Sequence, residues 1–467
     1  MSKLIKYFLL LLLFIFAFSI FFHSDTAITQ DLGRHLTLGK IIWTEKKIPT
    51  TNLFSYTHPD FPFLNHHWGS EVIFYLVNKF GGINGLLILK LMMMLTAIII
   101  LKVFVLKRVS FPAFLISNIL ILEVLKERTE VRPEIFAYLT FVLFLVILYR
   151  EKENKLINPG GLWLLPILQI AWANLHISFI FGPVIYFLFL IDRILCRKIK
   201  KKYFILGIFL LAATLINPFG WKGAIYHLKL FQNYGYSIVE NQSPFFLEKL
   251  MTNPTIFYFK LSFILFMLIT PFLFARKYFY EIITVFVFGI LSVWAIRNFP
   301  FFAAILFYPL SLGITKVFEK LNIFSWFAKN SSKIRGIFYL FVSVFIFWEI
   351  FNLLSNRYYL QSFSQLRTGV GQVTGMKNTV NFFQTQKLPG PIFNNFDIGS
   401  YLIYRLYPHQ RVFVDGRPEA YPVSFFQEIY IPMQEKKEIW NTISGKYKFQ
   451  TIIFSHTDMT PWARQFL

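Results

Sequence analysis

Acidic, basic and amide side chains gather beside apolar segments at five places along the chain. They are Asp31, Arg34, His35, Asn65, His66, His67, Trp68 and Glu71; then Arg128, Glu130, Arg132 and Glu134; then Trp172, Asn174 and His176; then Asn217, Glu240 and Asn241; and finally Arg297 and Asn298. A carboxylate can serve as a general base towards an acceptor hydroxyl or amine. Arginines can clamp a phosphate through two parallel hydrogen bonds. The combination fits transfer of a group from a lipid-linked phosphate.

Each candidate also has a simpler explanation. These are helix capping for Asp31, a helix start for Arg132, a histidine satisfied inside the bundle for His176, a helix stop for Asn217 and snorkelling for Arg297. The adjacent pair His66 and His67 lacks the spacing by which one helix presents two histidines to a metal, and an interfacial position explains it equally well. The joint pattern is more informative than any member, because snorkelling does not explain the acids and amides.

The composition is that of a membrane protein. Hydrophobic residues make up 55% of the chain and charged residues only 15%, against about 25% charged in soluble domains. The apolar residues form long blocks of the kind that span a bilayer as helices. The net charge of +23 does not indicate nucleic-acid binding, because the Lys and Arg clusters stand at alternate ends of those blocks. Cys196 is the single cysteine, so no intrachain disulfide is possible.

Eleven blocks predict spanning helices, the first of them an uncleaved anchor. They lie at about 5–22, 84–106, 109–125, 134–149, 161–176, 177–195, 203–219, 257–275, 280–296, 299–315 and 336–354. The first external loop is 23–82. Its residues 68–80 are predicted to form an amphipathic segment that lies in the membrane interface.

The distribution of Lys and Arg predicts the orientation. With the N-terminus inside, cytoplasmic segments hold 20 of these residues, and the much longer external segments before the last helix hold 12. The positive-inside rule therefore places the N-terminus in the cytoplasm and the polar clusters outside.

Residues 356–467 have a different pattern, and we predict two domains, 1–355 in the membrane and 356–467 outside it. Three apolar runs of strand length, at 391–393, 411–414 and 451–454, alternate with helix-like stretches at 398–407 and 424–443. This spacing predicts a small α/β unit with parallel strands. Asp397, Asp415 and Arg417 lie where predicted strands end, the edge at which open α/β sheets bind ligands.

Several of these segments carry a resemblance. Asp31-Leu32-Gly33-Arg34-His35-Leu36, Ile48-Pro49-Thr50-Thr51-Asn52-Leu53-Phe54-Ser55-Tyr56-Thr57 and His67-Trp68-Gly69-Ser70-Glu71 resemble the first external loop of bacterial multi-pass proteins with the GT-C glycosyltransferase fold. Arg132-Pro133-Glu134, Trp172-Ala173-Asn174-Leu175-His176, Asn217-Pro218-Phe219-Gly220, Asn395-Phe396-Asp397-Ile398-Gly399 and Val412-Phe413-Val414-Asp415-Gly416-Arg417 follow in the same order as in that group.

The resemblance implies an activity. Relatives of known chemistry include protein O-mannosyltransferases, aminoarabinose transferases and oligosaccharyltransferases, which use sugars linked to polyprenyl phosphate or diphosphate. An acid in their first external loop serves as base or metal ligand, and Asp31 matches that position. Those enzymes often place a second acid beside the first, whereas Leu32 follows Asp31 here. The dependence on a divalent metal, Mg²⁺ or Mn²⁺ with Asp31 as a ligand, is therefore left open.

The leading hypothesis is an inverting glycosyltransferase of the bacterial cytoplasmic membrane. It would move a sugar from a polyprenyl-phosphate donor to a lipid, glycan or protein acceptor on the extracytoplasmic side. The catalytic candidates are Asp31, as the base, His35 and Glu71. The substrate-binding candidates are Arg34, His67, Trp68, Arg132, Asn174, His176, Asn217, Arg297, Asp397, Asp415 and Arg417. The alternatives are a non-enzymatic lipid-phosphate binder or transporter, and an envelope assembly protein.

Overall fold

The structure is a computed structural model that describes residues 3–26, 31–156, 159–231, 234–322, 331–362, 364, 366–373 and 376–454. Each of the eleven predicted spanning segments contains a helix. These helices are α1 (Lys3–Phe21), α3 (Trp68–Leu106), α4 (Phe111–Leu125), α5 (Glu134–Lys152), α6 (Leu164–Leu175), α7 (Phe181–Leu195), α8 (Lys201–Thr214), α11 (Pro254–Ile269), α12 (Phe279–Trp294), α13 (Phe299–Lys320) and α14 (Ser331–Leu354). Short helices α2 (Leu32–Glu45), α9 (Trp221–Ile225) and α10 (Pro244–Leu247) lie in the loops between them.

The helices form a bundle that fits a membrane. Within the described residues, seven helical segments are long and apolar enough to cross a bilayer, and Phe111–Leu125 and Gly160–Leu175 are shorter apolar helices. Helix α13 is central, since the apolar part of its segment is 83% buried. The outer helices expose large apolar side chains, such as Leu340 and Phe341 on α14. The chain is thus an α-helical multi-pass membrane protein, as predicted.

Helix α3 contains a kink at Gly82. The range from Trp68 to Leu106 consists of two helical stretches joined there, where Gly82 has a non-helical geometry (φ +58°, ψ −159°). Glycine takes such a conformation at little steric cost. The kink confirms the prediction of two segments, one over residues 68–80 and a second helix from about residue 84.

The C-terminal unit is small and mixed. Its helices are α15 (Arg357–Gln361), α16 (Met376–Thr385), α17 (Gly399–Leu406), α18 (Pro432–Glu435) and α19 (Lys437–Tyr447). Strand β1 (Asp25–Thr26) pairs in parallel with β2 (Gln372–Val373), and β3 (Ile392–Asn394) pairs in parallel with β4 (Thr451–Ile453).

The predicted strand at 411–414 does not join this sheet. Val412 makes an isolated parallel bridge to Ser55 of the first loop. The Asn394 side chain binds the backbone beside it, since its Oδ1 accepts from Phe413 N at 2.8 Å and its Nδ2 donates to Val414 O at 2.7 Å. A side-chain amide thus replaces ladder bonds that the sequence pattern assigns to a strand.

Helix α2 lies between the bundle and the C-terminal unit. Leu38 and Ile41 of α2, together with Phe54, share an apolar core with residues of α17. Two glycines allow the close packing of α2. A Cβ on Gly33 would overlap the carbonyl oxygen of Ser400, and a Cβ on Gly39 would overlap that of Glu71. The first loop therefore packs against both parts of the chain.

Candidate active site

Asp31 precedes the first residue of α2, but its side chain makes no capping hydrogen bond. Its Oδ1 accepts from Arg34 Nη2 at 2.6 Å, and its Oδ2 lies 3.5 Å from Arg132 Nη1. The side chain is 21% exposed. Asp31 is thus an ion-paired carboxylate with one oxygen held firmly and the other loosely, and the capping explanation does not describe it.

Arg132 belongs to a buried network of alternating charges. Its guanidinium contacts Glu240 and donates to Glu130 Oε2 at 2.9 Å. Arg128 forms a bidentate pair with Glu134, at 2.7 and 3.0 Å, and lies 2.8 Å from Glu240 Oε2. Glu240 therefore bridges the two arginines.

The electrostatics of this network favour the charged forms of Arg132 and Glu240. Burial acts to lower the pKa of Arg132, but Glu240 and Glu130 outweigh it and raise the pKa above its ordinary value. Burial acts to raise the pKa of Glu240, and Arg128 and Arg132 overcome it, so that the pKa falls below its usual range. Because carboxylates already surround Arg132, a phosphate would have to compete with them.

Arg297 is placed differently. It donates to the neutral amide oxygen of Asn241 at 2.8 Å, and none of the described carboxylates lies within ion-pair distance of it. Its remaining donors are open to an anion, as phosphate binding requires.

Four histidines form a contiguous cluster next to these charges. The His67 ring lies 4.3 Å from that of His66, 5.1 Å from that of His176 and 5.5 Å from that of His35, between centroids. Burial lowers the pKa of His66 and of His176 to about 3, and it lowers those of His35 and His67 well below their ordinary value. The nearby guanidinium of Arg34 lowers the pKa of His35 further. The cluster is therefore neutral at pH 7 and acts through hydrogen bonds.

Two members of the cluster have fixed partners. His35 Nδ1 lies 2.8 Å from Glu71 Oε1, and Asn65 Nδ2 donates to Glu71 Oε2 at 2.5 Å. His176 Nδ1 accepts from Ser178 N at 3.2 Å, which leaves the proton of the neutral ring on Nε2. Because Glu71 and His35 are buried and hydrogen-bonded to each other, they are suited to holding neighbouring side chains of the site in position.

The remaining predicted residues of the bundle side hold local structure. Trp68 Nε1 donates to Asn174 Oδ1 at 2.9 Å, and Asn174 Nδ2 donates to Ile216 O at 2.8 Å. Asn217 closes its own turn, since its Nδ2 donates to Thr214 O and its Oδ1 accepts from Phe219 N. These contacts tie the start of α3 to the ends of α6 and α8.

Asp415 and Arg417 form a buried clamp in the C-terminal unit. Arg417 donates to both carboxylate oxygens of Asp415 at 2.7 Å and to Asn52 Oδ1 at 2.6 Å. Neither side chain is more than 1% exposed. Asp397 is half-buried in the turn before α17. The clamp joins the first loop to the C-terminal unit, and a direct role of these residues in ligand binding stays a prediction.

Two cavities flank the loop between α4 and α5, and Glu134 lines both. One, of about 260 Å³, lies against Arg128, Arg132, Asn253, Tyr358 and Tyr359. The other, of about 240 Å³, combines apolar walls at Phe181, Trp294 and Phe301 with His176, His227 and Arg297. A pocket with apolar walls and a few convergent polar groups is the usual form of a small-ligand site.

Comparison with known proteins agrees with this geometry at the level of fold. No model of a protein family matches the chain, and no curated protein matches it. The oligosaccharyltransferase AglB from the archaeon Archaeoglobus fulgidus, solved with an inhibitory peptide and a dolichol-phosphate, superposes with a TM-score of 0.64 at 12% identity, over 97% of this chain and 70% of that chain. The apo form of the Archaeoglobus fulgidus oligosaccharyltransferase gives 0.64 and 12%, over 96% and 70%. The chain has a GT-C-like fold.

The resemblance to GT-C enzymes leaves open whether a divalent metal binds beside Asp31. The side chains around Asp31 show whether enough ligand atoms are available in this arrangement. No group of three or more His, Cys, Asp or Glu among the described residues has a geometry that could hold a metal ion. The carboxylates that share the network with Asp31 are Glu130, Glu240 and Glu134, and each faces an arginine. These residues do not fit a metal in this arrangement.

Four residues of this candidate site are not among the predicted site residues. Glu240 was noted only as an acid in an external loop, and Asn65 only as a polar neighbour of the histidines. Asn52 completes the Arg417 clamp. Glu419, in the turn after that clamp, interacts electrostatically with Arg34 and Asp31, and its burial raises its pKa. The one signal that the sequence offers for these residues is the clustering of acids in external loops. It indicates Glu240 but not the residues that pair with it.

Proposed function

We propose that the chain is a membrane glycosyltransferase that moves a sugar from a lipid-linked phosphate donor to an acceptor, with inversion at the sugar carbon. One observation carries the proposal. A partly exposed carboxylate, Asp31, lies among arginines and neutral histidines at one end of a bundle with a GT-C-like fold. The AglB neighbour was solved with a dolichol-phosphate and a peptide, which supports a lipid-linked donor here.

The apolar cavity suits the donor. Its apolar walls would accept the first part of a polyprenyl chain, and Arg297 at its rim has donors free for the phosphate. The more polar cavity on the other side of the loop between α4 and α5 suits the acceptor. Under this proposal the acceptor meets the donor sugar beside Arg132, which lines the acceptor cavity and lies 3.5 Å from Asp31 Oδ2.

The chemistry then follows from Asp31. Its Oδ2, the more loosely held oxygen, takes the proton of the acceptor hydroxyl or amine. The acceptor atom forms a bond to the sugar carbon while the bond from that carbon to the phosphate oxygen breaks. The bonding electrons leave with the lipid phosphate, whose charge Arg297 stabilises. Attack from the face opposite the phosphate inverts the carbon. His35 and Glu71 are assigned as positioning residues, because both are buried and bonded to one another.

We also propose a location. The count of Lys and Arg supports an N-terminus in the cytoplasm and both cavities on the extracytoplasmic face. The membrane that we propose is a bacterial cytoplasmic membrane. A phosphatase fused after Leu467 is expected to be active in intact cells, and a reporter that fluoresces only in the cytoplasm is expected to be dark.

The decisive variant is Asp31→Asn. Asparagine keeps the shape and can accept from Arg34, but it cannot take a proton. Transfer is expected to fall by about 10²-fold or more, while the amount of folded protein in the membrane stays near normal. Mass spectrometry of envelope glycans compares cells with the gene, without it and with the variant.

Two results would contradict the mechanism. Full transfer by Asp31→Asn at matched membrane levels removes Asp31 as the base. Identical glycans with and without the gene favour the lipid-phosphate binder or the assembly protein instead.

A further inference from the structure

A third cavity, open to the surface, lies at the opposite end of the helical bundle from the candidate active site. Its volume is about 520 Å³, and it is lined by the last turns of α5 and α7, the start of α12 and the middle of α13. Six cations line it, against two carboxylates, Glu153 and Glu281. The cations are Lys152, Arg193, Arg197, Lys198, Arg276 and Lys277.

The two inner cations are fixed by buried acids. Lys152 contacts Glu281 and lies 3.3 Å from Asp192, and Arg193 donates to Asp192 Oδ2 at 2.8 Å through Nε. The Asp192 side chain is fully buried. These pairs hold the cationic wall in a set geometry, so it is a built surface and not a fringe of loose side chains.

The four outer cations have a different environment. Among the described residues, no carboxylate pairs with Arg197, Lys198, Arg276 or Lys277. Arg197 and Lys198 follow the end of α7, where their backbone amides bind Ile194 O and Arg193 O. The concave wall thus carries a surplus of positive charge without a carboxylate partner in the part of the chain that the structure describes.

A second observation concerns an uncharged side chain in the cavity wall, that of Tyr149. Tyr149 lines the cavity and is 2% exposed, and its hydroxyl lies near the Thr284 side chain without a hydrogen bond of ordinary geometry among the described residues. A buried hydroxyl without a partner is costly. A ligand with acceptor oxygens at this depth would satisfy it.

We propose that this cavity binds a phosphate-bearing anion. Phosphate oxygens match the guanidinium groups, the ammonium groups and the tyrosine hydroxyl together. The positive-inside rule explains cations at this end of the helices, but it explains neither their convergence on one concave surface nor the tyrosine. Exposed apolar side chains, Ile194, Leu195 and Phe274, lie beside the cavity, which places it at the level of lipid headgroups. Basic pockets between spanning helices are known to bind such headgroups.

The test uses the purified full chain and two probes, phosphatidic acid in micelles of an uncharged, phosphate-free detergent and inorganic pyrophosphate in solution. Binding is measured by native mass spectrometry and by stabilisation against unfolding. The cavity variant is Arg276→Gln with Lys277→Gln. The control is Lys200→Gln with Lys201→Gln, which removes the same charge from the same end of the bundle outside the cavity. One cation near a membrane surface changes affinity by about fivefold, so the cavity variant should weaken binding by about 30-fold. The control should change it little.

The outcomes separate the sources of the phosphate. Binding of phosphatidic acid that the cavity variant loses identifies a lipid headgroup site, and binding of pyrophosphate alone identifies a site for a soluble phosphate. Tyr149→Phe, which removes one oxygen atom and no charge, should also weaken whichever probe binds. The proposal is overturned if neither probe binds, or if the control pair weakens binding as much as the cavity pair does.

Discussion

Glu240→Gln is the sharpest test of the charged network at the candidate active site. Glu240 neutralises two guanidiniums at once, those of Arg128 and Arg132, and their side chains are only 9% and 11% exposed. Removing one partner of a buried ion pair costs about 3–5 kcal/mol, because the remaining charge is left without compensation. Glu134 and Glu130 retain part of that compensation. We therefore expect a loss near the lower end, about 3 kcal/mol in the free energy of unfolding.

A matched control lies in the same loop. Glu248 pairs with Lys260, but both side chains are about one-third exposed. Exposed pairs contribute about 0–1 kcal/mol, so Glu248→Gln should change stability little. Unfolding of the full chain by SDS in mixed micelles measures both variants against the parent.

The Glu240 variant should also affect transfer. Without Glu240, the nearest acid left to Arg132 besides Glu130 is Asp31, at 3.5 Å. Closer pairing would hold the Asp31 oxygen that the mechanism needs, so activity per folded molecule should fall. Equal effects of the two variants on stability would show that the network is no stronger than a surface pair, and the reasoning from burial would fail.

Two further predictions concern packing and pH. Gly39→Ala should cost about 1–3 kcal/mol, because the new Cβ would overlap the Glu71 carbonyl and push α2 from α3. Gly445→Ala lies inside α19 with open space around it, so in the same SDS unfolding assay it should stabilise by about 0.5–1 kcal/mol. Equal costs would contradict the packing argument. For acid pH, the pKa of His66 and of His176 is about 3 in the folded chain and 6.5 in the unfolded reference. The unfolded state therefore binds more protons, and stability is fully present above pH 6.5 and falls as the pH drops towards 3. The burial of each of these two histidines should lower the free energy of unfolding by about 2 kcal/mol between pH 7.5 and 5.0. His176→Gln should flatten that slope, and an unchanged free energy of unfolding at pH 5.0 would refute the burial of these rings.

The helices and their ends follow from local sequence. Blocks of apolar residues closed by Lys and Arg predict a helix at each of eleven places, and the structure has one in each. The positions of helix ends along the chain also predict which polar groups share a face of the bundle. Asp31 and Arg132 lie together for that reason, as do His35, His67 and His176.

The pairing of individual side chains could not be predicted in this way. Arg132 and Glu240 stand 108 positions apart, and any of several acids could have faced that arginine. The strand predicted at 411–414 failed for a related reason. Its hydrophobic pattern is that of a buried strand, but the Asn394 side chain and Ser55 of the first loop occupy the bonds that a neighbouring strand would make. The hydrophobic pattern of a segment indicates that it is buried. It does not indicate which group makes hydrogen bonds with its backbone.

Helix α2 explains why the candidate site depends on both parts of the chain. Gly33 and Gly39 are six residues apart, which at about 100° per residue directs them to different faces of the helix. One face meets the carbonyl of Ser400 in the C-terminal unit, and the other meets that of Glu71 in the bundle. Asp31, Arg34 and His35 lie at the start of α2. A shift of the bundle or of the C-terminal unit against α2 therefore moves all three. Conservative changes at Asp415 or Arg417, which anchor Asn52 and the first loop, should therefore act on the site through the position of α2. The C-terminal unit thus contributes to the site through packing, independently of any contact that it makes with an acceptor.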